Sequence, residues 1–353
     1  MNFQIIPYFC TDTIGNNRII IINKNHFTMK RKFMQAATLL VAIMFVAGCK
    51  TTTDFIDSRV YVPEEGGISF VKVTDETKEQ ILPNIRKENG RLTWWANPYM
   101  AFSKDGKNLA YLRTSNDKSN IFVRQISGES STQQRTFTGG VNDVTYSPDG
   151  KTICFTRSNN GYCAVFTTSA TEGSVIQQIS SPNVRDYGPR YSIDGKLIFF
   201  ARNDGGNYTI WSYDTDKGTI SNYCYGLTPY PINNEEFLCV RRNSQNNYEI
   251  WRVNYVKGKE SIIMTQDGRS FTTPSISPDG QWILCASNTT NQGSENIDIY
   301  VMRTDGSRLT QLTYHPGNDL SPVWGPDGKS IYFLSQRGTE KGQYNIWKMN
   351  FTL

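Results

Sequence analysis

The sequence predicts an all-β chain: a six-bladed β-propeller of four-stranded antiparallel blades, closed by an N-terminal strand. Three observations carry this. First, an Asp-Gly pair recurs at Asp105-Gly106, Asp149-Gly150, Asp194-Gly195, Asp279-Gly280 and Asp327-Gly328, with a degenerate copy at Asn233-Asn234; the steps are 44, 45, 39, 46 and 48 residues. A near-constant period of that length signals a repeat architecture. Second, each anchor is followed by a short apolar run and, about ten residues on, by a second run with an aromatic at one fixed position. Third, among 353 residues there are 19 Tyr, 18 Phe and 28 Gly, a balance that favours strands and turns.

Each element follows from local chemistry. Asp-Gly closes a tight reversal, because Gly accepts the positive torsion and Asp suits the position before it. These aspartates therefore read as turn formers and not as catalytic groups. The runs after the turns, such as residues 152–156, 197–201 and 330–334, read as buried strands. The third strands carry Phe122, Phe166, Trp211, Trp251, Tyr300 and Trp347 at matching positions, and packing between neighbouring blades is the expected role of Trp211, Trp251 and Trp347. Fourth strands are expected near residues 134–138, 175–179 and 309–312. The repeats start near residue 92, and the last unit stops after its third strand. One of the apolar runs at 60–62, 68–73 or 80–82 is expected to supply the missing outer strand of blade six.

The N-terminal part reads differently. Lys30, Arg31 and Lys32 precede an apolar stretch, and Ala47 and Gly48 precede Cys49. The apolar stretch is too short for a comfortable membrane span and suits a secretory signal. We expect residues 1–28 to be a non-native extension upstream of Met29, residues 29–48 to be a signal peptide, 49–58 a tether, and 59–353 the propeller. The net charge is +5. Residues 1–48 hold five cations and one anion, so the remainder carries +1 and lacks the basic field of a nucleic-acid binder. Cys154, Cys239 and Cys285 sit in apolar runs and read as buried thiols. No cofactor or metal is expected: His315 is the one histidine beyond residue 26, and there is no phosphate-binding loop or dinucleotide fingerprint.

Two resemblances extend this reading. Residues 46–49, Val-Ala-Gly-Cys, are similar to a bacterial lipobox, which implies lipidation of Cys49 and a lipid-anchored place in the cell envelope, at the outer membrane. The repeats resemble the WD40-like propeller repeats of TolB-type proteins, most closely at residues 312–329 with Pro316, Asn318, Asp319, Pro322, Trp324, Asp327 and Gly328. The resemblance covers residues 92–350 and implies a six-bladed propeller that binds proteins or peptides; we expect a monomer with a protein, peptide or glycan partner. Too few residues precede the repeats for the N-terminal domain of TolB proteins. A lipobox before such repeats is also similar to envelope lipoproteins of Bacteroidetes-type bacteria.

The connections from each fourth strand to the next first strand gather at one mouth of such a ring. They carry the candidate binding residues Trp94, Trp95, Tyr99, Asp143, Arg185, Asp186, Tyr187, Arg190, Tyr230, Arg269, Phe271, His315 and Asp319. Aromatics mixed with charges suit a peptide or sugar surface. The primary expectation is a non-catalytic binder. The alternative is a propeller enzyme, a glycan lyase or hydrolase or a peptidase, using Asp143, Asp186 and Asp319 as acid and base in the channel. No nucleophile elbow is present.

Overall fold

The computed structural model describes residues 8–11, 17–20, 65, 68–74, 81, 83, 85–88, 91–94, 98–127, 131–171, 176–291, 294–338 and 343–351. The chain divides into two units, residues 1–62 and 63–353. The described part of the first is a hairpin in which Tyr8–Thr11 pairs with Asn17–Ile20. The signal-peptide stretch 29–48, Cys49 and the tether lie outside the described residues, as does Trp95.

The second unit is built from six four-stranded antiparallel sheets. Blade 1 runs Met100–Phe102, Asn108–Ser115, Lys118–Gln125 and Thr132–Gln134. Blade 2 runs Thr145–Tyr146, Thr152–Asn159, Tyr162–Ser169 and Ile176–Gln178. Blade 3 runs Asp186–Tyr191, Leu197–Asp204, Asn207–Asp214 and Ile220–Tyr225. Blade 4 runs Leu227–Pro231, Glu236–Arg242, Tyr248–Asn254 and Lys259–Met264. Blade 5 runs Phe271–Ile276, Trp282–Asn291, Ser294–Arg303 and Thr310–Gln311. Blade 6 takes Asp319–Trp324, Ser330–Ser335 and Asn345–Asn350 from the C-terminal end, and its fourth strand is Phe70–Lys72. The expected closure therefore uses the middle one of the three N-terminal runs. The run at 80–82 contributes only an isolated bridge from Ile81 to Tyr344. One element was not expected: a hairpin of Ile85–Glu88 with Arg91–Trp94, which puts the Trp94 backbone in a strand and not in a connecting loop.

The blades form a closed circuit. First strands of successive blades touch from blade 1 through blade 6 and back to blade 1. Asp-Gly turns interlock around one mouth: a Cβ on Gly106 of blade 1 would come within 2.6 Å of Pro326 of blade 6, while Gly195 abuts Pro148 and Gly328 abuts Pro278. Those glycines hold φ of +71, +77 and +64°, which other residues adopt only at a cost. In the turns of blades 1, 2, 3 and 5 the serine two residues before the aspartate donates its hydroxyl to it, as from Ser147 to Asp149 at 2.6 Å, and the amide two residues on donates to the same oxygen; in blade 6, where Gly325 takes the serine's place, Ser330 donates to Asp327 at 2.8 Å. The degenerate blade 4 turn substitutes Asn233, which accepts from the amide of Glu235 at 2.8 Å.

The core lies between blades. Second strands are buried on both faces, with Ile153, Cys154 and Phe155 or Ile283, Leu284 and Cys285 without solvent contact. Ile198 and Phe200 of blade 3 pack on Cys154 and Val165 of blade 2, with Trp211 against them; Phe237 and Cys239 of blade 4 pack on Phe199 and Ile210 of blade 3, with Trp251 alongside. The recurring aromatic has a second partner. Arginine guanidinium groups lie over Phe122, Phe166, Trp211, Trp251 and Tyr300 at 4.4–4.7 Å. In blades 1–4 this arginine sits at one position of the second strand (Arg113, Arg157, Arg202, Arg241). Ser287 and Ser335 replace it in blades 5 and 6, and there Arg269 and Arg337 reach in and bond the serine at 3.1 and 3.0 Å.

Candidate functional site

Three kinds of position were brought together by the sequence reading, and the structure separates them. Asp143, Asp186, Phe271 and Asp319 have no solvent contact, and Tyr99 and His315 are buried. They hold the walls. Asp143 accepts from the amide and hydroxyl of Thr156, both at 2.6 Å, and from the amide of Gly188 in the next blade at 2.9 Å. Asp186 takes both prongs of Arg202 at 2.7 and 3.0 Å, beneath the Trp211 ring. Burial pushes both carboxyls above the usual aspartate value. His315 Nδ1 accepts from the amide of Gly317, which shapes a turn.

Asp319 belongs to a buried ionic cluster that ties the N-terminal segment into the ring. Arg337, itself without solvent contact, bonds Asp319 at 2.6 Å and Glu65 at 3.0 Å. Glu65 also accepts from the amide of Tyr314, and the Arg337 guanidinium lies 3.8 Å from the Phe70 ring centroid. Paired carboxylate chemistry needs two groups facing one open space. Asp143, Asp186 and Asp319 instead sit in three separate blades, each bonded within its wall and none lining the central cavity. As active-site candidates they are corrected to structural anchors.

Two of the remaining candidates, Arg185 and Tyr187, lie on the mouth opposite the Asp-Gly turns. Arg185 is exposed, with Nε donating to the Gly161 carbonyl, and Tyr187 beside it is half-buried. Sequence reasoning missed their neighbours. Tyr208 and Tyr248 open the third strands of blades 3 and 4, and Arg242 bonds the Tyr248 hydroxyl at 2.9 Å. Burial raises the Tyr187 and Tyr208 hydroxyls, and the Tyr187 and Tyr248 hydroxyls contribute to the rise at Tyr208. A sequence signal existed: Tyr208, Tyr248 and Tyr344 each precede an Ile-Trp pair by the same spacing. Arg269 is half-buried inside blade 5 over Tyr300 and Phe271, and the Trp94 side chain lies outside the described residues.

Arg190 and Tyr230 face a third environment, the ring axis. First strands of blades 3–6 each carry a bulge, between Tyr187 and Arg190, Leu227 and Tyr230, Thr272 and Ser275, and Leu320 and Val323. At each bulge a residue with positive φ precedes a proline: Gly188 (+59°), Thr228 (+46°), Thr273 (+49°) and Ser321 (+51°). A bulge re-aims the side chain that follows. Arg190, Tyr230, Ser275 and Val323 thus line an axial cavity of about 200 Å³, with residues from blades 1 and 2 completing its wall. A larger cavity of about 360 Å³ lies between blades 2 and 3 on the Asp-Gly side, and its aspartates Asp149 and Asp194 are committed to turns. Among the described residues no three of His, Cys, Asp and Glu converge as metal ligands.

Comparisons with known proteins agree with this architecture. Tol-Pal system protein TolB of Francisella tularensis subsp. mediasiatica is 28% identical over 105 residues, 30% of this chain and 23% of that protein. The match thus spans about a quarter of the length of that relative. Among solved structures, TolB from Acinetobacter baumannii superposes with a TM-score of 0.57 at 19% identity, covering 91% of this chain and 82% of that one. An oligogalacturonate lyase in complex with manganese superposes with a TM-score of 0.54 at 12% identity over 81% of this chain and 94% of that one. At such identities the likeness is one of fold. The TolB beta propeller domain model matches residues 91–295, more than half of the chain. Together with six blades, Asp-Gly turns and a closed ring, this match shows that the chain belongs to the TolB β-propeller family.

Proposed function

We propose that this chain is a non-catalytic binding propeller of the bacterial cell envelope, lipid-anchored through Cys49, that holds a protein, peptide or glycan partner on the mouth opposite the Asp-Gly turns. The observation that carries the reading is the tyrosine and arginine patch of Arg185, Tyr187, Tyr208, Arg242 and Tyr248 across blades 3 and 4. Tyrosine and arginine dominate binding energy at protein interfaces, since they give large contact area and strong donors. The enzyme alternative loses support from the burial of its three carboxylates. The similarity to TolB proteins favours an envelope location and protein partners.

Two experiments test this. Metabolic labelling with an alkyne palmitate should mark the wild type, and Cys49→Ser should abolish both labelling and membrane fractionation. Crosslinking in intact cells should capture a partner with the wild type but not with Tyr187→Ala/Arg242→Ala. Equal capture by both proteins, or turnover of a glycan or peptide panel by the purified chain, would contradict the reading.

A further inference from the structure

The axial cavity presents one cation, Arg190, to its interior. Its lining includes Arg190, Tyr230, Thr273, Ser275, Val323 and Trp324, and among the described residues no carboxylate lines it. Among the described residues Arg190 has no hydrogen-bond or ion-pair partner; the Tyr230 ring centroid lies 5.5 Å from its guanidinium carbon. The nearby Asp143 already accepts three hydrogen bonds elsewhere. Arg190 is half-buried; desolvation opposes its charged form, and Tyr230 and Asp143 favour it.

Hydroxyls around it are in a similar state. Ser275 is 5% exposed and its Oγ has no partner; Thr273 Oγ1 is likewise shielded and without one. Unpaired buried polar groups each cost about 1–3 kcal/mol. Thr273 also bears a positive φ, which is an outlier for a β-branched residue.

The chemistry selects the ligand class. We propose that the waist of the propeller channel binds a small organic carboxylate, with Arg190 as its cation, Thr273 and Ser275 as hydroxyl donors, and the apolar wall receiving its carbon skeleton. A single guanidinium fork matches one planar monoanion in bidentate fashion. One cation without a second does not balance a dianionic phosphate. Blade 3 supplies Arg190, and blade 6, opposite it in the ring, supplies Val323 and Trp324. The site is therefore charged on one side and apolar on the other, and its volume suits a group smaller than a drug-sized molecule. It stands independently of the partner proposed for the mouth.

Titration calorimetry on the chain lacking residues 1–48 tests this with phenylacetate against its neutral isostere phenylacetamide. Phenylacetate should bind about ten-fold or more tightly than the amide, and Arg190→Gln should remove the difference. Ser275→Ala should weaken phenylacetate several-fold while leaving the amide unchanged. A short phenylalanine-ending peptide with a free C-terminus, compared with its amidated form, distinguishes a chain terminus from a free acid as the source. Equal binding of acid and amide by the wild type overturns the proposal even if Arg190→Gln does not fold; so does undiminished acid binding by a folded Arg190→Gln. Tighter binding of inorganic phosphate than of phenylacetate also overturns it.

Discussion

The two mouths of the ring are built by opposite rules. Around the Asp-Gly mouth the same residues do the same work in most blades: serine donates to aspartate, the backbone caps the same oxygen, and, in blades 1, 2, 3 and 6, glycine lies against the preceding blade. Around the other mouth the positions vary, with Arg185 and Tyr187 in blade 3, Arg242 and Tyr248 in blade 4, and His315 folded into a turn before blade 6. Repetition marks what every blade needs in order to pack. Departure from repetition marks where one blade can do something its neighbours do not.

The comparison can be broken or sharpened by substitution. The largest effect is expected at the ring seam, where Glu65→Ala would leave Arg337 buried with Asp319 alone. A loss of about 3–5 kcal/mol in unfolding free energy is expected by denaturant titration. A smaller loss would mean that the N-terminal segment contributes little to closure. Next, Gly106→Ala should cost more than Gly161→Ala in the same assay. Both glycines have positive φ, yet a Cβ meets Pro326 at the first and nothing within 4 Å at the second. Equal costs would deny that one mouth is interlocked and the other open.

At the binding mouth, Tyr187→Ala/Arg242→Ala should shift unfolding by less than about 1 kcal/mol while removing the partner. A large destabilisation would reassign the patch to packing. The smallest effect is electrostatic. The Ser147 hydroxyl and Lys151 amide hold the Asp149 carboxyl below the usual aspartate value. Its folded value lies under its unfolded one, so its contribution is present above about pH 4 and is lost as pH falls through the folded value. Asp149→Asn should thus lower Tm slightly at neutral pH, and the difference should vanish in acid. A difference that grew in acid would reverse the sign.

The same contrast explains what was legible in the sequence. Turn chemistry is local, so Asp105-Gly106 and its copies could be read directly. Closure by one of three N-terminal runs followed from counting strands, because blade 6 lacked one; that the strand is Phe70–Lys72 emerges only from the structure. The wall aspartates were misassigned for a physical reason. They were read as rim-loop residues, whereas Asp186 and Asp319 open the first strands of blades 3 and 6, Asp143 lies just before that of blade 2, and all three are buried. The bulges had a signature that went unread: Gly188-Pro189, Thr228-Pro229, Thr273-Pro274 and Ser321-Pro322 recur at matching places. Arg190 was thereby placed with Arg185 on the rim, although one lines the axis and the other meets solvent. The charge partners of Asp186 and Asp319, Arg202 and Arg337, lie 16 and 18 residues away and carry no short-range signal.

Both the mouth and the axial site depend on six first strands gathered around one axis, and that depends on the seam. Val71 and Lys348 are paired directly across it. Opposed residues of antiparallel strands stand about 4.5–5.5 Å apart, within disulfide reach. Oxidation of a Val71→Cys/Lys348→Cys chain should form an intramolecular disulfide in nearly all molecules and raise Tm. Cysteines that stay reduced under the same conditions in a folded chain would contradict a ring sealed by residues 70–72.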